Sequence, residues 1–266
     1  MADARAYLAL VGGQIRSVAT YRASFAVDTL GNLGATVLDV LTVFVLYRVT
    51  AQVGGFTLAE ALLMTGLTAA GFVAADMVVG NIDRLKEYVR KGTLDTVLVR
   101  PLGVLPQIVF MDLPLRKVLR LVFGVIVYVS ALVANDIAWT PERALLVVVA
   151  PLAAAVFFGA IFVATASLAF WWVESGEIGA GFTYGGRDFT SYPITVYGTW
   201  FRALFAYTLG FGFVAYQPSL ALLGRPDPLG LPGWTGFVSP LIALVAAGLA
   251  FLAWRTGVRH YRSTGS

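Results

Sequence analysis

Three long stretches without charge most constrain the fold of this chain. Residues 144–173, 203–224 and 229–254 contain no Asp, Glu, Lys, Arg or His. A helix needs about 20 apolar residues to cross the roughly 30 Å hydrocarbon core of a bilayer, and each stretch is at least that long. Only 13% of the residues are charged, whereas soluble domains contain about a quarter. The sequence therefore predicts an all-α integral membrane protein.

Six spans are predicted when the less uniform apolar segments are included. They cover residues 24–47, 57–80, 118–134, 145–172, 200–216 and 234–254 of one membrane domain, 1–266. Residues 1–23 carry scattered arginines and no compact apolar core, which indicates an amphipathic interfacial helix rather than a signal peptide. The chain has no cysteine, so disulfides and thiol chemistry are excluded.

The cations are distributed unevenly across this six-span topology. Of the 19 Lys and Arg residues, only Arg48, Arg143 and Arg225 fall in loops on one side. Cytoplasmic loops are enriched in Lys and Arg, so the other side is predicted to be cytoplasmic, with both termini. The largest cytoplasmic loop then covers residues 82–117, between spans two and three.

This loop contains a dense polar segment, EYVRKGTLDTVLVRP, at residues 87–101. The residues before Gly92 favour a short helix, and Thr93 is a suitable N-cap for a second one. Pro101 ends that helix because the residue before a proline is disfavoured in the helical conformation. Two interpretations are open at this point: a solvated loop with ordinary basic anchors, or a docking helix for a cytoplasmic partner.

Two segments resemble the permeases of type-two ATP-binding-cassette (ABC) transporters, in particular an exporter-like bacterial branch. VRKGTLDTVLVRPL is similar to their first cytoplasmic loop, with a basic-Gly-x-Leu-Asp-x-x-Leu-x-Arg-Pro run. SYPITVYGTWFRALFAYTLGFGFVAYQPSLALLG is similar to their Tyr-Pro-Ile…Arg…Pro-x-x-x-Leu-Leu-Gly segment around the fifth span. The two occur in the order expected for the family.

The resemblance implies an export permease subunit in a bacterial plasma membrane, moving an amphipathic, lipid-like or drug-like substrate. In this family two permeases, identical or related, form the pathway. Two separate cytoplasmic ATPase subunits bind ATP and Mg beneath them. The chain itself is expected to bind no cofactor, metal or nucleic acid and to have no catalytic residues. Consistently, a phosphate-binding Gly-x-x-x-x-Gly-Lys-[Ser/Thr] loop is excluded because the sequence has no Gly-Lys pair.

The resemblance also implies which residues couple the permease to its ATPase. They are Gly92, Thr93, Leu94, Asp95, Leu98 and Arg100. Leu94 and Leu98 are four residues apart and share one helical face, so we expect them to make the apolar contact. Asp95 and Arg100 are expected to fix its orientation.

A proline-rich stretch precedes the last predicted span. Its prolines, Pro218, Pro226, Pro228 and Pro232, prevent one continuous helix. The SLALLG segment within it is apolar, so we predict short helices that dip into the outer leaflet and are shielded by protein. Permeases of the resembled family carry re-entrant helices at this position.

Acidic and amide residues interrupt the first two spans. Asp28 and Asp39 are eleven residues apart, about 1100° of helical rotation, so they lie within roughly 20° of each other, with Asn32 near the same face. They either line the transport pathway or permease interface, or they lie at the two membrane surfaces. Asp76, near the inner end of span two, is predicted to pair with Arg84 or another loop cation.

Two other classes of protein are alternatives to a transport subunit. An intramembrane enzyme acting on lipid has only Glu174, Glu177 and Asp188 as candidates, and the single histidine, His260, is distant in sequence. A non-transporting scaffold or immunity protein would use the 82–117 loop only to recruit a partner. The sequence separates this last class poorly from a permease.

Overall fold

A computed structural model describes residues 22–100, 103–110 and 117–261 of the chain. In chain order its helices are α1 (Arg22–Val49), α2 (Leu58–Val79), α3 (Leu85–Arg90), α4 (Thr93–Leu98), α5 (Val104–Phe110), α6 (Val118–Ala134), α7 (Pro141–Ser167), α8 (Gly176–Thr190), α9 (Thr199–Arg202), α10 (Tyr216–Leu223) and α11 (Ser239–His260). Of the predicted interfacial helix, 1–23, the structure describes only Arg22 and Ala23, the first residues of α1. Pro101 also lies outside the described residues.

Within these described ranges, four helical segments are long and apolar enough to cross a membrane. They are Ala26–Val49, Leu58–Arg90, Pro141–Phe170 and Ser239–His260. The predicted third span forms α6, whose 17 residues extend only about 25 Å. The prediction of an all-helical membrane protein is confirmed, while the count of six spans stays a prediction.

The predicted fifth span, 200–216, is not one continuous helix. After α9 the chain forms a π-helical turn, Ala203–Thr208, and then a 3₁₀ turn, Phe211–Phe213. Gly210 between them has a φ of 85°, in the left-handed region that favours glycine. A side chain there would also meet Ile242, 2.9 Å from the position of its Cβ. The chain therefore bends in the middle of this apolar segment.

Helix α8 and the residues that follow it lie alongside α2. We call the end of the bundle where α2 begins the upper end, and the end where α2 finishes the lower end. At the lower end the Lys86 side chain lies against Gly176, the first residue of α8. At the upper end, just after α8, the Thr195 hydroxyl donates a hydrogen bond to the Gly54 carbonyl over 2.8 Å. Helix α8 and the segment after it, up to Thr195, thus connect both ends of the bundle.

Small residues bring α2 into close contact with its neighbours. A Cβ on Gly66 would lie 2.6 Å from the backbone of Tyr128 in α6, and one on Gly71 would lie 2.4 Å from Ala154 in α7. Such contacts allow helix backbones to approach closely in a membrane. Because α2 packs against α6, α7 and α8, it forms the centre of the bundle.

The segment between α8 and α11 is held to the upper end by polar contacts. Arg225 donates to the Glu60 carboxylate of α2 over 2.6 Å, and its guanidinium lies 4.5 Å from the centre of the Phe56 ring. Asp227 accepts hydrogen bonds from Gln217 at 2.7 Å and from Tyr216 at 3.2 Å. These contacts fix α10, most of which is buried by protein.

Candidate functional site

The loop at the lower end contains the two short helices that the sequence predicts. Gly92 separates α3 from α4 and has a φ of 68°, so glycine suits the sharp change of direction. Gly92 itself is the N-cap, and Thr93 is the first residue of α4. The Thr93 hydroxyl donates to the Tyr88 carbonyl over 3.3 Å, which joins the two helices.

Of the two leucines expected to form the apolar contact of α4, Leu94 is buried and Leu98 is exposed. Leu94 and Val97 are buried against the bundle, with 0% and 2% of their surface exposed. Leu98 is 37% and Val99 83% exposed, next to the exposed Arg100. Leu94 therefore anchors the helix, while Leu98 and Val99 form an outward-facing apolar tip.

Asp95 connects α4 to the end of α11. The Tyr261 hydroxyl donates to an Asp95 carboxylate oxygen over 3.1 Å, and the Tyr261 ring packs edge-on against Phe170. Burial, followed by the hydrogen bond and charge of Asp95, raises the pKa of the Tyr261 phenol above its ordinary value. The phenol is therefore protonated at neutral pH and available as a donor.

Replacing Tyr261 with Phe is expected to loosen α4 without unfolding the bundle. The lost hydrogen bond contributes about 1 kcal/mol, which corresponds to roughly fivefold faster local opening. Hydrogen exchange of the 93–98 amides in detergent measures this opening. Tyr88→Phe is the control because no hydrogen bond from the Tyr88 hydroxyl is found among the described residues. Equal exchange rates in both variants would contradict the link.

A buried charged cluster lies directly above this loop. Asp76 of α2 is 2% exposed, and its carboxylate is 2.6 Å from the Lys117 ammonium and 3.7 Å from the Arg120 guanidinium. Arg120 also donates to the Thr36 hydroxyl of α1 over 2.8 Å. Asp76 thus pairs with a loop cation, as predicted, but with Lys117 rather than Arg84. The cluster joins α1, α2 and α6.

A second ion pair joins α1 to α8. The Arg187 guanidinium donates to the Asp39 carboxylate, whose side chain is still 41% exposed. The same guanidinium lies 5.5 Å from the centre of the Phe72 ring, and that of Arg120 lies 5.9 Å from it. Phe72 therefore contacts both cations through the negative potential of its ring.

The other two candidates on α1, Asp28 and Asn32, lie nearer the N-terminus of the helix than Asp39 does. The Asn32 amide donates to the Asp28 carbonyl of its own helix over 2.7 Å. Asp28 and Asp39 are about 16 Å apart along the helix, because eleven residues each rise about 1.5 Å. The structure thus places Asp39 opposite Arg187 and leaves Asp28 near the lower end of α1.

Two cations lie elsewhere than their predicted loop. The sequence predicts Arg187 in a cytoplasmic loop, yet it packs on Phe72 in the interior of the bundle. Arg202 lies seven residues after Thr195, which contacts Gly54 at the upper end, so Arg202 is also near that end. One signal of the buried pairs is present in the sequence, because an Asp at membrane depth requires a partner. Which cation supplies the partner depends on helix packing.

The three carboxylates that are candidates for an enzyme do not form one site. Glu174, Glu177 and Asp188 are all exposed. Glu177 and Asp188 lie at opposite ends of α8, and Asp188 is 3.9 Å from Arg187. Within the described part of the chain, no group of three His, Cys, Asp or Glu residues is placed to hold a metal. The described structure thus does not bring these three carboxylates together.

Long apolar helices around buried ion pairs, with a short-helix loop at one end, define a polytopic membrane protein. The family model described as "ABC-2 family transporter protein" matches residues 33–265. The chain therefore belongs to the ABC-2 transporter family, and it is an ABC-2 type permease that works with an ATPase component. No curated protein and no solved structure matches the chain.

Proposed function

We propose that this permease exports an amphipathic, lipid-like or drug-like substrate across a bacterial plasma membrane. Two cytoplasmic ATPase subunits, which bind ATP and Mg, dock on the loop formed by α3 and α4. The observation that carries the proposal is the apolar tip at Leu98 and Val99, presented beside Arg100 by a helix anchored through Leu94. In the family the corresponding loop transmits the closure of the ATPase.

The contacts of α8 support a six-span topology that differs from the one predicted from the sequence. Helices α1, α2, α6, α7 and α11 cross the membrane together with the 176–195 segment that begins with α8, and residues 199–223 re-enter it from the upper side. The lower end is cytoplasmic, because it carries the α3–α4 cations, whereas Arg48, Arg143, Arg202 and Arg225 belong to the upper end. Both termini then face the cytoplasm.

The coupling route follows the contacts described above. Closure of the ATPase dimer displaces α4, and the hydrogen bond between Asp95 and Tyr261 transmits this to α11. Helix α3 continues from α2 through a 3₁₀ turn, so the displacement also reaches the Asp76 cluster. The ATPase drives transport only if it binds the two permease conformations with different affinity.

The exposed side of the Asp39–Arg187 pair marks the face of the transport pathway or of the second permease. Ionisable groups at membrane depth usually face a bundle interior or a water-filled cavity. Because 41% of the Asp39 side chain is exposed, a further element or water must lie against it. We place a second permease, either a copy of this chain or a related one, against α1 and α8.

Replacing both Leu98 and Val99 with Asp is expected to abolish co-purification with the ATPase. Both side chains are exposed, so the yield of folded permease stays unchanged while the apolar contact is lost. The measurement is the amount of ATPase retained on the tagged permease in mild detergent. Val196→Asp is the matched control, because Val196 is an exposed apolar residue, 44% accessible, near the upper end.

The two outcomes have different consequences. Loss of the ATPase in the double variant alone supports docking at α4, and substrate-stimulated ATPase activity of the intact complex then distinguishes a transporter from a scaffold. Retention of the ATPase by the double variant would refute docking at this tip. Loss in the Val196→Asp control as well would point to a general loss of structure.

A further inference from the structure

A groove of about 500 Å³ opens on the surface of the bundle between α2, α7 and α11. Small buried residues form its floor: Ala75, Ala160 and Ala250. Exposed apolar residues form its rim: Val78, Leu152, Val156 and Phe251. Leu105 of α5 lies at its lower end, so the groove extends from the middle of the bundle to the docking loop.

The groove exists because three helices present small side chains to one another. A Cβ on Gly159 would meet only Val79, at an ordinary contact distance of 3.7 Å. The lining offers almost no polar partner, so ordered water would be poorly satisfied in it. In a bilayer, hydrocarbon is the surrounding medium that matches this lining.

A cation lies immediately below the groove. Arg255 is one helical turn after Phe251 on the same face of α11, and its side chain is exposed. Helical side chains lean toward the N-terminus, which directs Arg255 upward to the groove. No hydrogen bond or ion pair of Arg255 occurs within the part of the chain that the structure describes. Its guanidinium is therefore available to an anion at the membrane surface.

We propose that the groove binds one acyl chain of an anionic phospholipid, whose phosphate group binds Arg255. The apolar lining matches the tail, and the charge of the guanidinium matches the headgroup. A guanidinium also suits phosphate geometrically, because it can donate two parallel hydrogen bonds. The site requires that the bundle lies in a membrane, but it is independent of ATPase docking.

The bound lipid contacts a helix that supports the docking loop. Leu105 belongs to α5, where Gln107 donates to the Val97 carbonyl of α4 over 3.2 Å. Asn81, just after α2, donates to the Ile108 carbonyl of α5 over 2.6 Å. A lipid that packs against Leu105 therefore stabilises the position of α4 through α5.

Native mass spectrometry of the purified full-length chain tests this site, after exchange into phosphatidylglycerol or phosphatidylcholine. We expect one phosphatidylglycerol to be retained by the unaltered chain and lost from Ala247→Phe, which fills the groove. Leu249→Phe is the matched control on the lipid-exposed side of α11 and should retain the lipid. Arg255→Gln should bind both lipids equally and weakly.

Hydrogen exchange provides a second readout on the same samples. Bound phosphatidylglycerol should slow exchange of the 93–98 amides in the unaltered chain and not in Ala247→Phe. Equal lipid retention by the unaltered chain, Ala247→Phe and Arg255→Gln would overturn the site and leave only nonspecific annular lipid. Because no ATPase is present, this failure would be distinct from a failure of docking at Leu98 and Val99.

Discussion

Asp76→Asn is expected to destabilise the permease more than any other single substitution considered. The change leaves Lys117 and Arg120 without their shared carboxylate, and Arg120 is only 8% exposed. Removing one partner of a buried ion pair costs about 3–5 kcal/mol, because an uncompensated charge is left inside the protein. Yield after size-exclusion chromatography and thermal unfolding in detergent measure the loss.

A double variant distinguishes an ion-pair effect from a general packing effect. Asp76→Asn combined with Lys117→Met removes one of the stranded charges, so part of the stability should return. Asp136→Asn, in the exposed loop after α6, is the control and should change little. If Asp76→Asn behaves like Asp136→Asn, the cluster does not stabilise the fold.

Gly66→Ala is expected to separate α2 from α6. The new Cβ would lie 2.6 Å from the backbone of Tyr128, and a backbone cannot move aside as a flexible side chain can. Overpacking of this kind costs about 1–3 kcal/mol or more. It outweighs the gain of about 0.8–1.0 kcal/mol that alanine has over glycine in a helix interior. The melting temperature in detergent should fall.

Gly31→Ala in α1 gives the opposite expectation. No atom lies within 4 Å of a Cβ at Gly31, so only the gain in helix propensity remains. The melting temperature should stay the same or rise slightly. A fall of equal size in both variants would mean that the close contact at Gly66 does not determine the packing of α2.

Much of the helical content followed directly from local apolarity. The predicted segments 24–47, 57–80 and 145–172 correspond to α1, α2 and α7, and 118–134 has the bounds of α6. A long uncharged run that faces lipid favours a helix, because every backbone group there needs an internal partner. Tertiary contacts are not needed for this inference.

Apolarity could not distinguish a spanning helix from a bent segment. Residues 203–224 are uncharged but turn at Gly210, whereas α8 carries Arg187 and yet packs against α2 and α7. Arg187 is accommodated there by Asp39 of α1 and Phe72 of α2. Both partners are distant in sequence, so no local pattern reveals them.

The same division applies to the coupling loop. Its sequence predicted two short helices separated at Gly92, because a left-handed turn and helix propensity are local properties. Only the tertiary structure decided that Leu94 is buried, that Leu98 and Val99 are exposed, and that Asp95 bonds Tyr261. The sequence thus determined a helical membrane protein with a polar loop. Packing between distant helices decided which charges pair and which side chains meet a partner, because burial depends on neighbours that only the fold brings together.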